Sequence, residues 1–357
     1  MASFQLPDIL SYSRSFDLRA NKHCRRITDA SEAWIRSQEP PILNEEERET
    51  LVGVKAGLLT SLCFPTCDGP QLRLFTDLCT LMVYSNARLW RQPLRSCWSG
   101  DGTGNGVDLF AGHTILMHLV PRIQKIYDKE SQMWQNRFTD SVRTYRSAQL
   151  QVMENPNYIP PIAEYLELLP DLSGIKIVLD FIEPAEGLDI EGKTSEDVVR
   201  LRQHAVNIVA WTVDIVGYNV DQSINKRYNL VSLLMTHKRL PVQVAAQQAG
   251  TMVKNAVDSF LETEARIVTA LKQPPTSSGR FSWIWNTLTP AESTAEDKSS
   301  EKREIDDLML WMQGLRDCIV GHTNWVYETD VFFGTKGEEV RGFGWVFLLP
   351  KANTAGA

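Results

Sequence analysis

Within a helical stretch over 194–220, residues 196–219 are apolar nearly all the way round: Val206, Ile208, Val209, Trp211, Val213, Ile215 and Val216 leave no broad polar face. Such a helix cannot rest on a surface, because its outer side would stay in contact with water, so other helices must wrap it. It should be central and buried, and the helical periodicity along the chain makes the expected fold class all-α, a helical bundle. The rest of the chain supplies the wrapping. Apolar positions recur at helical spacing over 45–63, 70–84, 109–127, 130–153, 158–168, 174–183, 224–237, 241–272 and 304–326. Strand signals are scarce before the C-terminal end, where Phe343-Gly-Trp-Val-Phe-Leu-Leu-Pro350 reads as a short strand-like tail packed on the body.

With 357 residues, 43 % of them hydrophobic, the chain can bury a large core as one domain, 1–357. A net charge of −7 without a basic run argues against nucleic acid as a partner. The six cysteines, at 24, 63, 67, 79, 97 and 318, include one close pair (Cys63 and Cys67) and no zinc-ligand spacing. They read as free thiols in a reducing compartment. The N-terminus lacks a basic flank and an apolar signal core, and no apolar run approaches the ~20 residues of a membrane span. A cytoplasmic location is expected, with the oligomeric state open.

Two segments interrupt the pattern. Gly100-Asp-Gly-Thr-Gly-Asn-Gly106 follows no strand and carries no Lys-Ser/Thr, so it reads as a flexible loop rather than a phosphate cradle. Residues 273–303 read as a flexible insertion between the last two helices. At its centre stands Phe281-Ser-Trp-Ile-Trp285, either anchored on the surface, or a lid, or a partner contact.

Particular motifs narrow the fold. Trp211-Thr-Val-Asp-Ile-Val-Gly-Tyr-Asn-Val-Asp-Gln-Ser223 resembles the second metal-binding motif of microbial class I terpene synthases, Asn-Asp-x-x-Ser-Tyr-x-x-Glu. Asp214 and Tyr218 match, while Val213, Gly217 and Asp221 stand at the Asn, Ser and Glu ligand positions. Leu58-Leu-Thr-Ser-Leu-Cys-Phe-Pro65 resembles the segment ahead of the family's aspartate-rich motif, but Ser85-Asn-Ala-Arg-Leu-Trp90 stands where that motif belongs. No carboxylate occurs between Asp77 and Asp101, and Arg88, Arg91 and Arg95 do. Tyr165 to Gly174 resembles the diphosphate-sensing segment, with Leu169 or Pro170 at the arginine. Trp325-Val-Tyr-Glu-Thr-Asp-Val-Phe-Phe-Gly334 resembles a further family landmark, with Val331 and Phe332 replacing Arg-Tyr. The resemblance implies a class I terpenoid-synthase bundle around an apolar cavity that takes a small-molecule terpenoid. It equally implies that the hard oxygen ligands a magnesium cluster requires have been lost.

What remains is acid and base chemistry. Asp214, Tyr218 and Asp221 share one helix face as an acid–phenol–acid row, and a carboxyl in a dry pocket can deliver a proton. Asp180 is a further candidate, although Lys176 and Glu183 at helical spacing suit a solvated ionic stripe. Candidate substrate contacts are Asp77, Tyr84, Asn86, Phe181, Trp211, Val213, Gly217 and Phe332. The expected function is a terpenoid cyclase or isomerase working by acid/base catalysis with no cofactor. The alternatives are a magnesium-dependent sesquiterpene synthase ionising farnesyl diphosphate with atypical ligands, and a non-catalytic terpenoid-binding or regulatory protein.

Overall fold

The computed structural model describes residues 2–90, 97–190, 195–272 and 295–351. The central helix runs Glu196–Ser223, about 42 Å long at the usual rise. Ser195 opens it by accepting from Val198 N–H, and Glu196 and Asp197 place negative charge at the positive end of the helix dipole. Buried positions from Val198 to Asn219 fall on most of its circumference, as its composition requires.

Its main partner is the Val242–Lys272 helix, which returns alongside it after the short Leu230–Lys238 helix. Ala245, Ala246 and Ala249 are fully buried, and these small side chains let two backbones approach closely. The Ala295–Glu328 helix packs against both the central helix and Ala56–Cys63. Gly69–Leu89 and Gln132–Glu154, capped by Asp68 and Ser131, close the other side with Ile162–Leu172. Each large apolar side chain buried in this way contributes roughly 1.5–3 kcal/mol.

Several expected elements are subdivided. The helix expected over 45–63 breaks at Lys55 (φ 51°) into Glu45–Val54 and Ala56–Cys63. The Val54 carbonyl exposed by that break accepts from the Trp325 indole at 3.0 Å and the Thr329 hydroxyl at 3.0 Å, which gives the Trp325–Gly334 landmark a structural purpose. The 174–183 helix divides into Ile175–Asp180 and Ile182–Glu186. Gly174 begins it at φ 73°, a left-handed conformation that favours glycine, and a Cβ there would also crowd the Tyr145 ring at 3.1 Å. Of the expected insertion, residues 273–294, including Phe281–Trp285, lie outside the described residues, and the Ala295–Glu328 helix takes in the remainder.

The strand-like tail has a partner that the sequence did not announce. Trp345–Phe347 pairs antiparallel with Ser3–Gln5, with Phe4 opposite Val346. The edges of this small sheet are met by side chains. Gln243 exchanges two hydrogen bonds with the Gln5 backbone at 2.8 and 3.0 Å. Asn219, on the central helix, donates to Phe347 O at 3.0 Å and accepts from Leu349 N–H at 2.8 Å. Among the described residues no helix is long and apolar enough to cross a membrane.

Candidate active site

The C-terminal end of the central helix gathers the polar groups of the candidate site. Asn225 adopts the left-handed conformation (φ 57°) just past the helix and reverses the chain. Lys226 N–H then bonds Asp221 O at 2.9 Å, and its ammonium reaches the Asp221 carboxylate, also at 2.9 Å. Behind the ammonium lies the Trp90 ring, its centroid 5.1 Å away. Trp90 itself packs on Tyr228 at 5.6 Å. Burial works against the lysine charge, but Asp221 and Asp214 outweigh it and hold the Lys226 pKa above its ordinary value.

Asn229 ties this corner to the helix. Its amide nitrogen donates to Asp214 O at 2.7 Å and to Asp221 Oδ2 at 2.9 Å, while its oxygen caps the next helix through Val231 and Ser232 N–H. Asp214 is almost wholly buried. Its Oδ2 accepts from the Tyr165 hydroxyl and from Leu230 N–H, both at 2.7 Å, and neither bond falls on Oδ1. Burial, chiefly, lifts its pKa to about 6 against the pull of Lys226. The carboxyl therefore supports the start of a helix and can also carry a proton near neutrality.

The expected acid–phenol–acid row is corrected in its middle member. Tyr218 turns its hydroxyl to Met235 Sδ at 3.3 Å and sets its ring edge-on to Phe4, so it does not link the two acids. Asn229 instead joins the Asp214 backbone carbonyl to the Asp221 carboxylate, and Lys226 bonds Asp221. The signal for them was the Asn-Lys-Arg-Tyr-Asn run, one turn past the matched motif and therefore outside it.

Beside this corner the helix presents Val213, which is partly buried, and Gly217. A Cβ at Gly217 would stand 3.6 Å from Phe332 and 3.7 Å from Asp221 Oδ2, an ordinary contact. Phe332 packs on Trp325 at 5.8 Å. Trp211 is partly buried, and its indole N–H has no hydrogen-bond partner.

The other predicted residues are committed to the framework. Asp77 is fully buried and bonded by Arg73 at 3.0 Å, Arg122 at 2.6 Å and Ser31. Tyr84 donates to Glu47 O at 2.8 Å. Asp180 is no part of a solvated stripe. It is fully buried between Arg137 at 2.9 Å and Arg202 at 2.7 Å, while Lys176 bonds Asp171 instead. Glu183 joins Arg137, and burial pushes its carboxyl up to about 7. Phe181 belongs to an aromatic cluster with Phe75, Trp134 and Phe138, centroids 5.0–6.1 Å away.

Where the resemblance places the aspartate-rich motif, the structure has a neutral network. Asn86 Oδ1 accepts from the Tyr145 hydroxyl at 2.8 Å and from the Gln149 amide at 3.0 Å. Gln149 Oε1 accepts from the Trp98 indole at 2.7 Å, and Ser85 Oγ lies 2.9 Å from His113 Nε2. Burial first, and then Arg88, pulls His113 down to about 3, so it stays neutral. Arg88 is spent on Glu47 at 2.6 and 2.9 Å. Arg91 and Arg95 lie outside the described residues.

These donors do not fit a magnesium cluster. Neutral oxygens already paired with protein donors stand at one motif, and a valine, a glycine and a lysine-bound aspartate at the other. Among the described residues no three His, Cys, Asp or Glu side chains group to hold a metal ion.

Comparison with known proteins places this arrangement. A family model described as terpene synthase family 2, C-terminal metal binding, matches residues 85–259. The chain is 28 % identical to "Sesquiterpene synthase Agr1" of Cyclocybe aegerita, over 97 % of this chain and 93 % of that one. It is 26 % identical to "Sesquiterpene synthase 1" of Postia placenta, over 97 % and 95 %. Its fold matches the crystal structure of an a-eudesmol synthase with a TM-score of 0.64 at 15 % identity, covering 87 % of this chain and 96 % of the other.

Proposed function

The chain belongs to the class I terpene synthases of fungal type, and from that premise we propose that it is a terpenoid cyclase holding a sesquiterpene-sized substrate beside its central helix. The observation that carries the class is the apolar central helix, which ends in one compact polar corner, Asp214–Asn229–Asp221–Lys226. Such a layout suits a greasy ligand with a single polar or reactive end.

Kinship best supports the family's own route, magnesium-assisted ionisation of farnesyl diphosphate, because the relatives are named sesquiterpene synthases over nearly their whole length. The donor set described above does not fit that metal cluster. A second route is favoured by Asp214, whose buried carboxyl titrates at about 6. Protonated on Oδ1, it would hand its proton to an alkene, epoxide or carbonyl of a neutral terpenoid. The resulting carbocation would cyclise and return a proton to a carboxylate of the pair. Tyr165 and Leu230 N–H stabilise the carboxylate left behind.

One experiment divides these routes. The protein is incubated with farnesyl diphosphate, with farnesol and with an epoxyfarnesol, each with magnesium or with EDTA, and the products are read by gas chromatography and mass spectrometry. A product from the diphosphate that vanishes in EDTA establishes the family route. The acid route is established by a product from a neutral terpenoid that survives EDTA, fades as pH rises through about 6 and disappears in Asp214→Asn. Binding without turnover leaves the non-catalytic terpenoid-binding role, and neither binding nor turnover removes the proposal.

A further inference from the structure

Asp221 is the last acidic side chain at the second motif position, and the chain supplies it with a cation of its own. The turn at Asn225 brings Lys226 back over the helix end, so that backbone and ammonium both bond to Asp221 at 2.9 Å. The indole of Trp90, at the end of the helix that would carry the first motif, closes the other side of the ammonium. Asn229 holds Asp221 Oδ2 from a third direction. One carboxylate oxygen is therefore shared by an ammonium and an amide, and the ammonium is enclosed.

We propose that Lys226 is the resident cation of this site, occupying the place beside Asp221 that a divalent ion would need and so excluding the ion. The inference rests on reading the end of the central helix as the active site. Shape is not the obstacle to metal. A Cβ at Gly217 meets only ordinary contacts, 3.6 Å from Phe332 and 3.7 Å from Asp221 Oδ2, and Val213 is only partly buried. The obstacle is a positive charge already bonded to the one carboxylate ligand. Restoring the other ligands while the lysine remains should therefore fail, and removing the lysine as well should succeed.

The test needs no substrate, so its outcome is independent of whether any terpenoid is turned over. Thermal melting and calorimetric titration with magnesium and inorganic pyrophosphate are run on the wild type, Val213→Asn/Gly217→Ser, that double variant with Lys226→Met, and the same double variant with Lys226→Arg. The expected result is a shift of several degrees and at least tenfold tighter binding only in the variant carrying Lys226→Met. The wild type, the double variant and the arginine form should stay flat. A double variant that responds as strongly as the methionine form overturns the proposal, and so does a methionine form that stays flat. Should the methionine form fail to fold, Lys226→Gln in the same background keeps a polar neighbour for Asp221 and is read by the same criteria.

Discussion

The two places where the family resemblance predicts metal ligands have diverged in opposite ways. At Ser85 and Asn86 the polar groups are uncharged: Tyr145 lies between them, and Gln149 and His113 complete a largely buried, neutral net. At Asp221 a charge is present and balanced by Lys226, which provides the counter-ion. A sealed neutral network tolerates no new charge, because every member is already satisfied and nothing can solvate an ion. A corner that already holds paired charges, where a Cβ at Gly217 meets only ordinary contacts, can accept a new polar group cheaply. The two motif positions thus differ, one rigid and the other adaptable.

The largest expected effect breaks the neutral side. Ser85→Asp puts a carboxylate into the net beside Tyr145 and neutral His113, and should cost about 3 kcal/mol in urea unfolding. A cost below ~1 kcal/mol would mean that water reaches this region and that it is not sealed.

The next effect separates the two regions by pH. His113 titrates lower in the fold than its ordinary 6.5, at about 3, so its contribution to stability is present above pH 6.5 and is lost as pH falls. Asp214 titrates higher than its ordinary 3.8, at about 6, so its contribution is present below pH 3.8 and is lost as pH rises through 6. The two windows overlap between about pH 4 and 6 with opposite slopes of up to about 1.4 kcal/mol per pH unit, so the two contributions largely offset each other there in the wild type. His113→Gln should therefore expose a loss of stability as pH rises from 4 to 6, and Asp214→Asn a loss as pH falls from 6 to 4, measured as unfolding free energy from pH 4 to 8. The comparison is between slopes, and wild-type slopes in both variants would refute the assignment.

The smallest effect is at the adaptable end. Gly217→Ser alone should change stability by no more than about 0.5 kcal/mol, since its Cβ has ordinary neighbours. A much larger loss would show that Phe332 cannot yield and that the corner is as closed as the other.

Much of this was legible in the sequence because it depended on local pattern. The all-round apolar run fixed a central helix, and the missing carboxylates between Asp77 and Asp101 located the altered motif. What could not be read was which distant arginine meets which buried acid. Asp180 looked like part of an exposed stripe because Lys176 and Glu183 stand at helical spacing. Its real partners, Arg137 and Arg202, come from two other helices. Asp77 likewise depends on Arg122, from a later segment. The Cys24–Arg36 helix was missed, since few of its residues are buried and no side chain caps its start. Lys226 lay beyond the motif's boundary, and only the reversal at Asn225 brings it back.

The pairing of Ser3–Gln5 with Trp345–Phe347 bears on the order in which the molecule assembles. It joins segments separated by nearly the whole chain, so its loop-closure entropy is repaid only once the helices between are in place. The sheet should therefore form late and open early. Because Asn219 stitches Phe347 and Leu349 to the central helix two residues before Asp221, that fraying reaches the polar corner directly. The amide of Leu349 should exchange with solvent faster than those in the middle of the central helix, making it a sentinel for the first loosening of the site.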